Sequence, residues 1–172
     1  MSRDFPDWFD AERTAQAERH FAGEMRLEWM PRVLDLLDSP EPTDEIGFEL
    51  QAGRDEQNTV CLNVRVHGTV PMTCQRTLKR YWQPIESCST VAIVASEREA
   101  DELPENLEPR LAAQGNVRTV ELIEDELLLA LPLVPRDPNS EPVGEVEKAV
   151  DEATETGRQN PFAELAALRK RH

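Results

Sequence analysis

Basic residues are scarce in this 172-residue chain. Nineteen lysines and arginines stand against 34 aspartates and glutamates, a net charge of −15. That sign argues against tight non-specific binding to a phosphate backbone, which needs clustered cations. It suits a basic partner, or plain solubility. Aromatics make up only 5% of the residues, so the core must be aliphatic. There are seven glycines, none of them clustered, and no glycine-rich phosphate loop. Cys61, Cys74 and Cys88 are odd in number and widely spaced, which argues against a disulfide framework. Together with His20, His67 and His172 they form no tetrahedral zinc spacing, and no cofactor is expected. No Ser-His-Asp arrangement or H-E-x-x-H is present. No run of 18 apolar residues predicts a membrane span, and the acidic, aromatic N-terminus lacks the apolar region of a secretory signal. A cytoplasmic, reducing location is the expectation.

The chain does carry clear periodicities. Residues 10–20 are rich in helix formers and predict a short helix. Gly23 follows, and 25–27 reads as a short strand. Leu27, Met30, Leu34 and Leu37 fall at helical spacing, and Pro31 places the start of that helix near Glu28. Ile46, Phe48 and Leu50 alternate with polar neighbours. Val60, Leu62, Val64, Val66, Val70, Met72 and Cys74 then all occupy even positions, a period of two held for longer than a typical strand. Gly68 interrupts it and predicts a bulge or bend. Residues 82–95 continue in strand-like composition. The simplest account is three or four antiparallel strands with one buried face.

The C-terminal half divides by composition. Residues 97–110 are acidic with two prolines and predict an exposed loop. The stretch 121–135, E-L-I-E-D-E-L-L-L-A-L-P-L-V-P, predicts a helix stopped at Pro132. Residues 136–159 are polar and acidic and predict a disordered linker. Asn160 and Pro161 then head a short amphipathic helix over 160–172. The expected architecture is one α+β domain over 1–135, an antiparallel sheet packed by two or three helices.

Two surfaces are candidates for function. On the 121–131 helix, about 100° per residue places Val120, Ile123, Leu127, Ala130 and Leu131 on one stripe. Glu124 and Glu126 flank that stripe on opposite sides, so they do not converge as a general acid/base pair. Glu121, Asp125 and Leu128 lie away from the core. They form either a docking face for a basic partner or a merely solvated one. The second candidate is Arg76, Lys79, Arg80 and Trp82, with Arg65 on the preceding strand. This mixture of bases and an aromatic suits RNA contact through phosphates and base stacking. Its other reading is a solvated hairpin end with Trp82 packed inward. Cys74, on the apolar parity, reads as a buried structural cysteine.

Several blocks together carry a family resemblance. They are Asp10-x-x-Arg13-Thr14-Ala15-Gln16, Phe21-x-Gly23, Cys74-Gln75-Arg76, the E-D-E-L-L-L-A-L-P-L-V-P run from Glu124 to Pro135, and Asn160-Pro161-Phe162-Ala163-x-Leu165-Ala166-x-Leu168. In this order they resemble the YceD family of large ribosomal RNA subunit accumulation proteins, over nearly the whole chain. The resemblance implies a non-enzymatic ribosome-biogenesis factor, needed for synthesis, processing or stability of 23S ribosomal RNA, with no established cofactor. The implied partner is the large-subunit precursor, met through a basic ribosomal or assembly protein or through the rRNA itself. Together with the helix face it marks Arg13, Gln16, Cys74, Gln75, Arg76, Glu121, Glu124, Asp125, Glu126, Leu128, Pro132, Pro135, Pro161 and Phe162 as motif and partner surface. One departure stands out: the family commonly has Cys-x-x-Cys where this chain ends the motif in Thr77. No metal or redox role carries over.

Overall fold

In a computed structural model the described residues are 5–104, 107–112 and 114–141. The chain divides into two units, Met1–Pro138 and Asn139–His172. Beyond residue 141, the expected linker and the expected helix over 160–172 lie outside the described residues. The fold below belongs to the first unit.

The period of two becomes the centre of a mixed sheet. Strand β3 (Glu45–Arg54) buries Ile46, Phe48, Leu50 and Ala52, and β4 (Val60–Thr73) buries Leu62, Val64, Val66, Val70 and Met72. They pair antiparallel with Phe48 opposite Val66 and Leu50 opposite Val64, so the apolar sets share one face. Strand β5 (Arg80–Val94) continues antiparallel to β4 and puts Tyr81, Ile85 and Val91 on that face. Ser87 and Ser89 share their parity, opposite Val66 and Val64. Gly68 introduces no extra residue into the β4–β5 register. It sits where the pairing of β4 with β3 stops, at φ +144°. A Cβ there would stand 2.8 Å from Ile46 Cδ1.

Further strands complete the sheet in ways the apolar pattern did not predict. Helix α1 (Ala11–Gln16) is capped by Asp10, whose carboxylate accepts the Arg13 N–H at 2.9 Å. Left-handed Glu18 (φ 46°) turns the chain into β2 (His20–Arg26), longer than the strand expected at 25–27. β2 pairs antiparallel with β3, with Phe21 opposite Leu50 and Met25 opposite Ile46. The expected acidic loop over 97–110 holds a short helix, α3 (Glu97–Asp101), capped by Ser96, and a strand, β6 (Glu108–Leu111). β6 runs parallel to β5, so the five-stranded sheet, in the order β2-β3-β4-β5-β6, is antiparallel except at that edge. A separate two-stranded ribbon pairs β1 (Trp8–Asp10) with β7 (Asn116–Arg118).

Helices cover one face of the sheet. The single helix expected over 28–37 is broken. A 3-10 turn at Leu27–Trp29 ends at Met30 (φ −118°, ψ 77°), and α2 (Pro31–Leu34) begins with proline in its first turn. Leu27, Met30 and Val33 are nevertheless fully buried. Helix α4 (Thr119–Ala130) packs on β4, β5 and α2 and buries Val120, Leu122, Ile123 and Leu127. The opposite face carries the exposed Asn63, Arg65, Trp82, Glu86 and Cys88. The result is an α+β fold with an antiparallel sheet core, as the pattern predicts.

Candidate nucleic-acid interface and the acidic helix

The carboxylates of α4 meet their partners across the fold, some charged and some neutral. Glu124 is 3% exposed and Glu126 4% exposed. Burying an unpartnered carboxylate is costly, so each must be compensated locally. Glu124 accepts the backbone N–H of Arg32 at 2.8 Å and its guanidinium N–H groups at 2.9 and 2.7 Å. The bonds to Glu124 and Asp125 raise the Arg32 pKa further above its already basic value. Glu126 instead accepts the hydroxyls of Ser87 and Ser89 from β5. The two glutamates thus reach different elements, and neither offers a free carboxylate oxygen pair to a substrate. The helix geometry anticipated this divergence, but not the depth of burial.

The face expected to dock a basic partner is compensated within the fold. Asp125 pairs with Arg32 at 2.7 Å and with Arg110. Glu121 pairs with Arg118 at 3.2 Å and Arg110 at 3.7 Å. Leu128 is half-buried against the core, whereas Leu129 is exposed. Together with Trp29, Pro31 and Val120, these charges line a cleft of about 430 Å³. Arg32, Arg110, Ser87 and Ser89 are partners of the α4 carboxylates that reading the sequence missed. The serines had one available signal: they occupy the core parity of β5.

The second candidate surface is the β4–β5 hairpin end. Cys74 N–H donates to the Lys79 carbonyl at 2.9 Å, Leu78 N–H donates to the Cys74 carbonyl at 2.8 Å, and Leu78 adopts φ 56°. The segment leaving α4 is tied to this turn. Gln75 N–H donates to the Pro135 carbonyl at 2.9 Å, the Arg76 guanidinium donates to the Asp137 carbonyl at 3.2 Å, and Asp137 N–H donates to Cys74 Sγ at 3.3 Å. Cys74 is fully buried, as its parity predicts. Bonds to the sulfur from the Thr77 side chain, and from the Asp137, Thr77 and Arg76 backbone, outweigh burial and lower its pKa to about 6. The sulfur accepts a hydrogen bond within the turn, and these donors favour its thiolate form.

Around that turn Leu78 is 75% exposed and Trp82 49% exposed, with Lys79 and Arg80 also outward. The reading of Trp82 as packed inward is set aside by that exposure. The Arg80 guanidinium lies 5.2 Å from the Trp82 ring centroid. It also donates to the carbonyls of Asp38 and Ser39 at 3.1 and 3.3 Å, which fixes its position. Arg65 does not join this group. It stands opposite Cys88, eight positions along β5 from Arg80, roughly 27 Å away at strand rise. There it pairs with Glu86 at 2.7 Å and Glu49 at 3.6 Å.

The remaining motif residues are spread over the unit. Arg13 and Gln16 are exposed on α1, and Arg13 pairs with Asp10. Pro132 and Pro135 follow α4 and are half-buried, while Pro161 and Phe162 lie outside the described residues. Among the described residues no group of three or more His, Cys, Asp or Glu side chains is arranged to hold a metal ion. Among them, too, no helix is long and apolar enough to cross a membrane.

Comparison with known proteins completes the picture. No solved structure matches this chain. A protein of Haemophilus influenzae named Large ribosomal RNA subunit accumulation protein YceD is 31% identical over 166 residues, covering 94% of this chain and 92% of that relative. Residues 62–169 match the family described as Large ribosomal RNA subunit accumulation protein YceD, a span that includes the hairpin end and all of α4. The likeness over both lengths, and the family match over more than half of the chain, show that it belongs to the YceD family.

Proposed function

We propose that this protein supports the accumulation of 23S ribosomal RNA as a cytoplasmic, non-enzymatic factor that binds the large-subunit precursor. The family name supports the link to large-subunit rRNA. The non-enzymatic part draws on the α4 carboxylates, whose oxygens are taken up by Arg32, Ser87 and Ser89. Two routes to the precursor follow, one through a basic ribosomal or assembly protein and one through the rRNA itself. The observation that favours rRNA is the internal pairing of Glu121 and Asp125 with Arg32, Arg110 and Arg118. A helix face already neutralised has little left to offer a cationic protein. The hairpin end presents cations and an aromatic ring outward.

The protein route retains one support, the net charge of −15. A tagged strain decides between them. Recovery at moderate salt of large-subunit precursor rRNA, surviving protease and lost in Lys79→Glu/Arg80→Glu, is the expected result. Recovery that depends on a basic protein and is lost instead in Glu121→Lys/Asp125→Lys points to the protein route. Recovery of neither rRNA nor a ribosomal protein sinks the proposal.

A further inference from the structure

Charge compensation is uneven over this molecule. Arg26, Arg32, Arg54, Arg65, Arg110 and Arg118 each bridge to a carboxylate. Among the described residues Lys79 and Arg80 bridge to none; Arg80 spends its N–H groups on carbonyls. A carbonyl orients a guanidinium without cancelling its charge. The hairpin end therefore presents two cations without a carboxylate ion pair on a strongly negative protein.

Its aromatic is equally particular. Trp82 stands on the open face of β5, opposite Pro71 and two residues before the exposed Pro84. Strand geometry directs Trp82 and Pro84 to the same side. The Arg80 guanidinium is held over the ring at 5.2 Å from its centroid, and the exposed Lys79 is the next residue along the chain. Stacking on an indole needs a base with a free face, and a duplex buries those faces. The backbone is preorganised by the bonds within the turn and to Pro135, so little ordering is required on binding.

We propose that this corner binds an unpaired base of single-stranded RNA, stacked on the exposed part of Trp82, with Lys79 and Arg80 facing the adjoining phosphates. The proposal rests on the reading that the protein meets the precursor through rRNA. It adds the chemical class recognised: unpaired segments rather than helices. Arg65 and the α4 face take no part.

The test uses the full-length purified chain and a fluorescently labelled single-stranded RNA of about ten nucleotides, beside the same strand annealed to its complement. Anisotropy should show the single strand bound at least tenfold more tightly than the duplex. Trp82→Ala should weaken single-strand binding by about five- to a hundredfold, the range for a lost stacking platform. Trp82→Phe should recover most of it, which a merely structural role of the indole would not predict. Thermal melting confirms that each variant folds, and the half-exposed ring makes folding of Trp82→Ala the expectation. Equal affinity for strand and duplex, or unchanged binding by Trp82→Ala, overturns the inference. If the tagged chain still recovers precursor rRNA while the purified chain binds no single strand, this inference fails and the functional reading stands. If neither occurs, both fail.

Discussion

Glu126 illustrates how a residue is held in place by its neighbours' chemistry rather than their charge. No cation reaches it among the described residues; two serine hydroxyls do. Removing one donor from a buried carboxylate should cost about 1–3 kcal/mol, so Ser87→Ala and Ser89→Ala should each lower the urea midpoint. The triple variant Ser87→Ala/Ser89→Ala/Glu126→Leu should regain much of that loss, because an apolar trio leaves no polar group stranded. A triple variant less stable than either single one counts against this account. Arg32 and Glu124 predict an asymmetry. Arg32→Ala leaves a carboxylate that is 3% exposed with only the residue-32 backbone N–H and no counter-charge from that side chain, whereas Glu124→Gln leaves a guanidinium that is 52% exposed and can turn to water. The first should cost about 3 kcal/mol and clearly more than the second. Cys74 adds a pH signature. Its folded pKa near 6 lies below the usual thiol value of about 8.5, so folding favours the thiolate. The stabilisation is complete above about pH 8.5 and is lost as pH falls through about 6. Urea midpoints should therefore rise across that window relative to Cys74→Ser, and parallel curves would refute the assignment. The burial of Cys74 was legible from its parity, but the partners of Glu124 and Glu126 were not. Glu124 and Glu126 are separated from their partners by 92 and by 37 to 39 residues, and helical periodicity records only where a side chain points.

At the scale of elements, legibility followed the strength of the local pattern. β3 and β4 announced themselves because one parity is almost wholly apolar, and α4 because its stripe is continuous. Only the end of β2 was read as a strand, because Gly23 weakens its apolar parity and Phe21 is only half-buried. β6 was hidden because an edge strand of four residues with a proline needs no apolar parity, only a neighbour in β5. The break at Met30 hid inside a helical spacing, since Leu27, Met30 and Val33 repeat every three residues whether the turn is 3-10 or α. Among the hairpin candidates, Lys79, Arg80 and Trp82 were legible as one short run. Arg65 was misplaced because strand length sets it far from the turn. Gly68 is where an element depends on one residue. A methyl group there meets Ile46 Cδ1 at 2.8 Å, and φ +144° is strained for any L side chain. Gly68→Ala should lose about 1–3 kcal/mol in chemical denaturation. Adding Ile46→Val should return only part of it, because the steric component is relieved and the backbone component is not. Full rescue by Ile46→Val would mean that the backbone strain is negligible.

Across the whole molecule, net charge and local charge point in opposite directions, and salt separates them. Lys79 and Arg80 are cations without a carboxylate ion pair at the hairpin end, so about two phosphates should be neutralised. For single strands that gives a slope of log affinity against log salt near −1.4. The rest of the chain repels the same strand, since the net charge is −15. That repulsion acts beyond contact distance and is screened once the Debye length falls to about 10 Å at 0.1 M salt. The two effects have opposite salt dependence, so the observed slope should be shallower than −1.4, flattest at low salt where repulsion is greatest. Lys79→Glu/Arg80→Glu removes the attractive part and leaves the repulsion. Whatever residual stacking on Trp82 survives should then strengthen as salt rises, a reversal of sign. Anisotropy titrations from about 50 to 300 mM salt read both slopes directly. A wild-type slope of −4 or steeper would require phosphate contacts at several further cations. The hairpin end would then be one part of a larger interface rather than the site itself.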